Sequence, residues 1–243
     1  MPKFNHVMLD LETLSTRTDA CIIQIAAIAF DIETGELGPR FNAYVNEALM
    51  IGEPVGHIDP HTVGWWMRQK FAPALGAMLT DEDERRSLGE ALGDFAEWYD
   101  NLTDNCDDGE GKPPTEDIRL WGHGATFDIP ILQNAYQQRC PEVHEGQVPW
   151  HYRSPRDTRT LFDVAPGGMP KPPKDETREH DAQYDCEYQI AQVCGALAAL
   201  REQRELATSY VRLEQEALAA PDGSVAPALM SSAETYARFS GQG

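Results

Sequence analysis

Apolar positions in this chain fall into short blocks separated by charged or glycine-rich stretches. Residues His6 to Leu11 read HVMLDL, an apolar run broken by Asp10 and then Glu12, the pattern of a buried strand whose end opens into a site. The next block, CIIQIAAIAFD, is continuously apolar and partly β-branched; the turn residues ETGELG follow it, and then RFNAYVN. Three such runs joined by short turns predict an antiparallel meander.

Helical spacing takes over further along. Asp59 followed by Pro60, with Val63, Trp66 and Met67 behind them, predicts a helix capped by Asp59. Leu88, Leu92, Phe95 and Tyr99 recur at helical intervals and predict a second helix from about Asp83 to Leu102, followed by a Gly/Pro/acidic loop. DIRLWGHG predicts another strand, and DIPILQNAYQQR a helix with Ile129, Leu132 and Tyr136 along one stripe. RSPRDTRTLFDVAP reads as a short strand or a helical turn, and GGMPKPPKDETRE as a mobile loop. A strong helix is expected from near His180 through YDCEYQIAQVCGALAAL, a further helix beyond Arg201 to about Ala219, and little pattern from Pro221 to Gly243. This order predicts a mixed α/β sheet flanked by helices, with residues 1–204 as one domain and 205–243 as a C-terminal helix and weakly structured tail.

Composition narrows the possibilities. No stretch approaches the roughly twenty apolar residues that span a bilayer, and the first residues enter a strand pattern without a basic leader, so a soluble, cytoplasmic protein is expected, with no membrane partner. Its five cysteines are scattered and form no CxxC pair, as expected of free thiols in a reducing compartment. The formal net charge of −20 argues against sequence-independent clamping of long duplexes, which relies on Lys and Arg. It leaves room for a carboxylate site that captures divalent cations and so reverses its own local charge. Much of the acidity lies between Asp81 and Asp117, where solvated helix faces and a loop account for it more simply than a binding role.

Four acidic residues and one histidine stand out. Asp10 and Glu12 are separated by one residue on a strand, so both point to one face. Burying two ionised carboxylates side by side costs several kcal/mol unless a cation compensates; solvent exposure at a strand end is the simpler account of the pair alone. Asp128 follows the WGHG strand at the first turn of a helix, where an ordinary cap would also explain it. His180 and Asp185 open the last strong helix, a pattern with little information by itself.

The set is more specific than its parts. DLET, GHGATFD and HDAQYD, in that order and context, resemble the three motifs of the DEDDh 3′–5′ exonuclease superfamily over about residues 4 to 200. Within it, TVGWWMRQ, WGHGATFD and RDTRTLFD are similar to the phage and bacterial branch of RNase H-like 3′–5′ exoribonucleases and exodeoxyribonuclease VIII-like proteins. One departure is Leu14, where many members carry a second Thr and a Gly after DxET, which bears on how closely the terminal sugar is packed.

The resemblance implies an RNase H-like sheet, and Asp10, Glu12, Asp128 and Asp185 holding two divalent cations, Mg2+ or Mn2+, about 4 Å apart. It implies His180 as general base, swinging in from its loop when a strand end is bound. Leu11 and Thr13 would lie where the terminal nucleotide is held. Trp65 and Trp66 cannot both face the core, so one of them, taken here as Trp66, is a candidate to stack on a base for about 1–3 kcal/mol; core or inter-subunit packing competes with that role. Phe127 and His123 line the approach to Asp128, though structural roles suit both. Asp157 by resemblance supports the fold, and Arg156, Arg159, Lys171 and Lys174 read most simply as surface charge. The implied substrate is single-stranded or 3′-overhang RNA or DNA, with RNA slightly favoured, and a homodimer is possible, as among relatives. The competing reading is a catalytically silent, acidic nucleic-acid- or protein-binding module on the same fold, but inactive relatives usually lose a metal carboxylate and this chain keeps all four.

Overall fold

The computed structural model describes residues 3–45, 56–68, 70–72, 74–76, 85–103, 117–139 and 148–219. Of the acidic stretch from Asp81 to Asp117, residues 81–84 and 104–116 lie outside these residues, as does the tail beyond 219.

The three leading runs form the expected meander. Strands β1 (His6–Thr13), β2 (Ile22–Phe30) and β3 (Leu37–Val45) pair antiparallel in sequence order. Two short strands extend the sheet on the β1 side: β5 (Arg119–Gly122) runs parallel to β1, and β6 (Pro155–Asp157) runs parallel to β5. On the other edge β4 (Arg85–Arg86) pairs parallel with β3 at Tyr44 and Val45. The six-stranded order is therefore β4-β3-β2-β1-β5-β6, a mixed sheet.

Local chemistry sets where the helices begin. Helix α1 (Pro60–Trp66) starts as expected, with the Asp59 carboxylate accepting from the His61 amide at 2.9 Å and Pro60 in the first turn. Helix α2 (Leu88–Thr103) starts later than the periodicity implied. Ser87 and Glu90 form a reciprocal capping box, Ser87 Oγ accepting from the Glu90 amide at 3.2 Å while Glu90 Oε2 accepts from the Ser87 amide at 2.9 Å. That box stops the helix at Leu88 and frees Arg85 and Arg86 for the sheet. Helix α3 is Asp128–Arg139, and RDTRTLFD supplies both of its alternatives, strand β6 and then helix α4 (Thr158–Val164). The loop before the last helix contains a 3-10 turn at Glu176–Arg178. The two helices expected around Arg201 are one, α5 (Ala182–Ala219), because no glycine or proline after Gly195 interrupts it.

The chain divides into two compact units, the first Met1–Arg159 with Lys171–Ala191 and the second Thr160–Pro170 with Gln192–Gly243. Residue 204, the expected division, falls inside α5. In the first unit the core packs one face of the sheet, with Val7, Leu9, Leu11, Ile25 and Ala27, against Leu92, Phe95 and Tyr99 of α2 and Leu132 and Tyr136 of α3. In the second unit, Gln192 Nε2 donates to the Pro170 carbonyl at 2.9 Å. Among the described residues no helix is long and apolar enough to cross a membrane.

Candidate active site

Strand alternation puts Asp10 and Glu12 on the sheet face opposite the Val7, Leu9 and Leu11 core. Directly after Glu12 the β1–β2 register shifts, a bulge that re-aims the chain as it leaves the sheet. Glu12 is buried and Asp10 half-buried.

Asp128 reaches the same place from α3. Its Oδ1 accepts from the Leu11 amide at 3.2 Å, which ties its carboxylate to the Asp10–Glu12 end of β1, and its Oδ2 accepts from the His123 amide at 3.0 Å. Gly122 makes the room: a Cβ there would lie 3.3 Å from Asp128 Oδ2. Gly124, at φ 124, carries the chain through the turn into the helix in a conformation that other residues rarely adopt. His123 is tied into the fold by a 2.9 Å hydrogen bond between its Nδ1 and Thr158 Oγ1.

Asp185, in the first turn of α5, and His180, just before that helix, complete the group. One ligand atom from each of Glu12, His180 and Asp185 lies within 4.8 Å of the others. Asp185 Oδ2 accepts from the His180 amide at 3.0 Å, and His180 has φ 67, a left-handed conformation that costs about 1 kcal/mol or more outside glycine. Aromatic rings hold it there: the centroids of Phe71, Trp65 and Trp66 lie 4.7, 4.8 and 5.7 Å from the imidazole, all nearly perpendicular to it. Next to it Glu179 takes Lys70 at 2.6 Å and Lys174 at 3.1 Å, tying down the loop. The Gln24 side chain accepts from the Ala182 amide at 3.3 Å and so caps α5 from the sheet.

These carboxylates disfavour one another's ionisation. Burial, then the charges of neighbouring carboxylates, raises Asp10 and Glu12 well above the usual carboxylate range. Burial likewise raises Asp128 and Asp185, each to about 6. Four crowded acids, two of them buried and two half-buried, are costly in their charged forms, and a divalent ion is the group that would remove the cost, so the donor set fits hard cations with oxygen ligands. Burial lowers the His180 pKa, with Glu179 opposing, which favours a neutral imidazole.

Beside the carboxylates lies a cleft of about 440 Å3 whose lining includes Leu11, Thr13, Trp65, Trp66 and Phe127. All four expected substrate positions border it, in different ways. Phe127 is half-buried and presents ring surface. Leu11 and Thr13 are buried, so each offers the cleft little surface. Trp66 is 1% exposed and its Nε1 donates to the Thr13 carbonyl at 2.9 Å, so it forms a floor and has no face free to stack on a base. Trp65, half-buried, is the tryptophan with accessible ring surface. Asp157 is a structural acid, its Oδ1 accepting from the Arg159 amide at 3.3 Å. Sequence reasoning missed Gln189, which donates from Nε2 to Asp10 Oδ1 at 2.8 Å; its place one helical turn after Asp185 was the available signal.

Known proteins resemble this chain in sequence and fold. The chain is 26% identical to an exodeoxyribonuclease of Enterobacteria phage T4 over 211 residues, which is 78% of this chain and 88% of the relative. Its fold matches E. coli exonuclease I in complex with a dT13 oligonucleotide, with a TM-score of 0.51 at 16% identity over 85% of this chain and 43% of that one. A zinc-bound form of the E. coli exonuclease I complex with single-stranded DNA gives a TM-score of 0.51 at 17% identity, over 84% and 43%. The chain spans less than half the length of these exonuclease I chains. Residues 5–196 match the 3′–5′ exoribonuclease Rv2179c-like domain, a family whose chemistry implies a divalent metal, and the chain belongs to this family of 3′–5′ exonucleases.

Proposed function

We propose that this chain removes nucleotides stepwise from the 3′ end of single-stranded nucleic acid or of a 3′ overhang, preferring RNA to DNA, with two divalent cations, Mg2+ or Mn2+, held by Asp10, Glu12, Asp128 and Asp185. One observation carries the reading: carboxylates from β1, α3 and α5, far apart in sequence, meet around Glu12 with a histidine beside them. When bound, such ions acidify a water and stabilise charge on the leaving 3′ oxygen. The chain's own groups do the rest. His180, kept neutral by burial and aimed by its aromatic cage, accepts the proton of the attacking water. Phe127 and Trp65 border the cleft that receives the terminal nucleotide, and Leu11 and Thr13 form part of its wall. The family description supports RNA, while the phage relative's name makes DNA the comparison substrate.

The test compares matched, end-labelled RNA and DNA with 3′ overhangs on wild-type protein and Asp10→Ala, with Mn2+ or Mg2+ and with chelator. Chelator-sensitive stepwise loss from the 3′ end, faster on RNA and abolished in Asp10→Ala, is expected. No loss with either metal overturns the enzyme reading, and equal rates on both strands overturn the preference. His180→Ala is expected to lower turnover by about 10²-fold or more with metal binding intact.

A further inference from the structure

Gln189 is a buried polar residue that the catalytic assignment does not use. It is 7% exposed and lies on α5 four residues after Asp185, on the face turned to β1. Its Nε2 donates to Asp10 Oδ1 at 2.8 Å. Its Oε1 is buried and has no hydrogen-bond partner in the protein. With Asp10 ionised, as a carboxylate holding a cation would be, only the amide nitrogen can serve it as donor, so the contact with Asp10 fixes which way the amide points and leaves the oxygen as the orphan.

An unpaired buried acceptor costs about 1–3 kcal/mol, which a leucine or methionine of similar volume would avoid. Nothing in the packing requires the amide. Cys186, one turn earlier, already ties this part of α5 to the sheet, its thiol donating to the carbonyls of Met8 and Ala26 at 3.6 Å each. What the amide adds is direction: it occupies one lone pair of Asp10 Oδ1 and stops the carboxylate from turning about χ2. Asp128 and Asp185 are the neighbours whose charges act on that carboxylate most strongly.

We propose that Gln189 is a positioning residue for the metal centre, orienting Asp10 through Nε2 and keeping Oε1 as an acceptor that only a ligand of the filled site satisfies. The inference rests on the metal-site reading above. In the metal-free protein the unpaired oxygen is a liability, and with the site filled both polar atoms would be used. Groups that orient a metal-binding side chain in this way commonly change affinity or activity 10- to 100-fold when removed.

The experiment measures Mn2+ binding by calorimetry without substrate, thermal stability in chelator, and kcat and KM on a short oligonucleotide, for wild type, Gln189→Met, Gln189→Asn and Asp10→Asn. Gln189→Met keeps the volume and removes both polar atoms. Gln189→Asn keeps the amide but is one methylene too short to reach Asp10. Expected for Gln189→Met are a metal-free Tm at or above wild type, Mn2+ affinity about tenfold weaker, and a fall in kcat with KM little changed. Gln189→Asn should show the same loss of affinity, and it provides the measurement if the methionine variant does not fold. Mn2+ affinity within threefold of wild type in either folded variant overturns the proposal. Asp10→Asn separates this failure from that of the underlying reading, for if it too binds Mn2+ like wild type, the carboxylate site itself is misassigned.

Discussion

The two faces of β1 are buried to a similar degree and have opposite energetic effects. Leu11 is 3% exposed and Glu12 7%, one residue apart. On the first face, Val7, Leu9 and Leu11 pack with α2 and α3, each large side chain contributing about 1.5–3 kcal/mol on burial. On the second, Met8 gives way to Asp10 and Glu12, which crowd against Asp128 and Asp185. Burial there raises the free energy of the charged forms. The packing of the apolar face therefore offsets the cost of the acidic one on the same strand.

The comparison is broken most severely by Glu12→Gln. The change keeps the shape, removes one charge from the crowded group, and is expected to lower turnover on the order of 10³-fold, equivalent to several kcal/mol of lost charge stabilisation. The same variant is expected to melt at a higher temperature than wild type in chelator at pH 7, which differential scanning calorimetry would check. A lower melting temperature would mean that the acidic face contributes to stability after all.

Leu9→Ala attacks the other face. It should cost about 2–5 kcal/mol of unfolding free energy by urea titration, while turnover per folded molecule, measured below the transition, stays close to wild type. A large activity loss in the folded fraction would show that the two faces are coupled.

The smallest effect is a pH dependence. Asp128 and Asp185 have folded values of about 6 against an ordinary value of 3.8, so between those limits the folded protein binds more protons than the unfolded chain. The stability contribution of these groups therefore falls as pH rises from about 4 through 6. The rise in Tm on adding Mn2+ should be larger at pH 7 than at pH 5, because the ion relieves a repulsion that protonation already relieves at the lower pH. Equal rises at both pH values would sever the carboxylates from the metal effect.

Much of this was legible beforehand. The meander came from three apolar blocks and their turns, and Asp59 with Pro60 marked the start of α1. The start of α2 was also written in the chain, as Ser87 and Glu90, but helical periodicity upstream obscured it. The strand β4 was not readable, since two arginines have no strand period and pair only because β3 offers them an edge. Among candidate site residues, the five chemical groups converge, while the exposure of the two tryptophans was ambiguous: adjacent helical positions differ by about 100°, and which one turns inward depends on what it meets, here the Thr13 carbonyl at the end of β1.

Side-chain chemistry and its order along the chain are local facts, and they were enough to name the carboxylates, the histidine and the fold class. Distances between residues more than a hundred positions apart are not local. That Leu11 would hand its amide to Asp128, that Gln189 would reach Asp10, and that three aromatic rings would close around His180 depended on how helices settle on a sheet. Packing chooses among many arrangements that the same pattern of apolar residues permits, so these contacts were decided only when the chain folded.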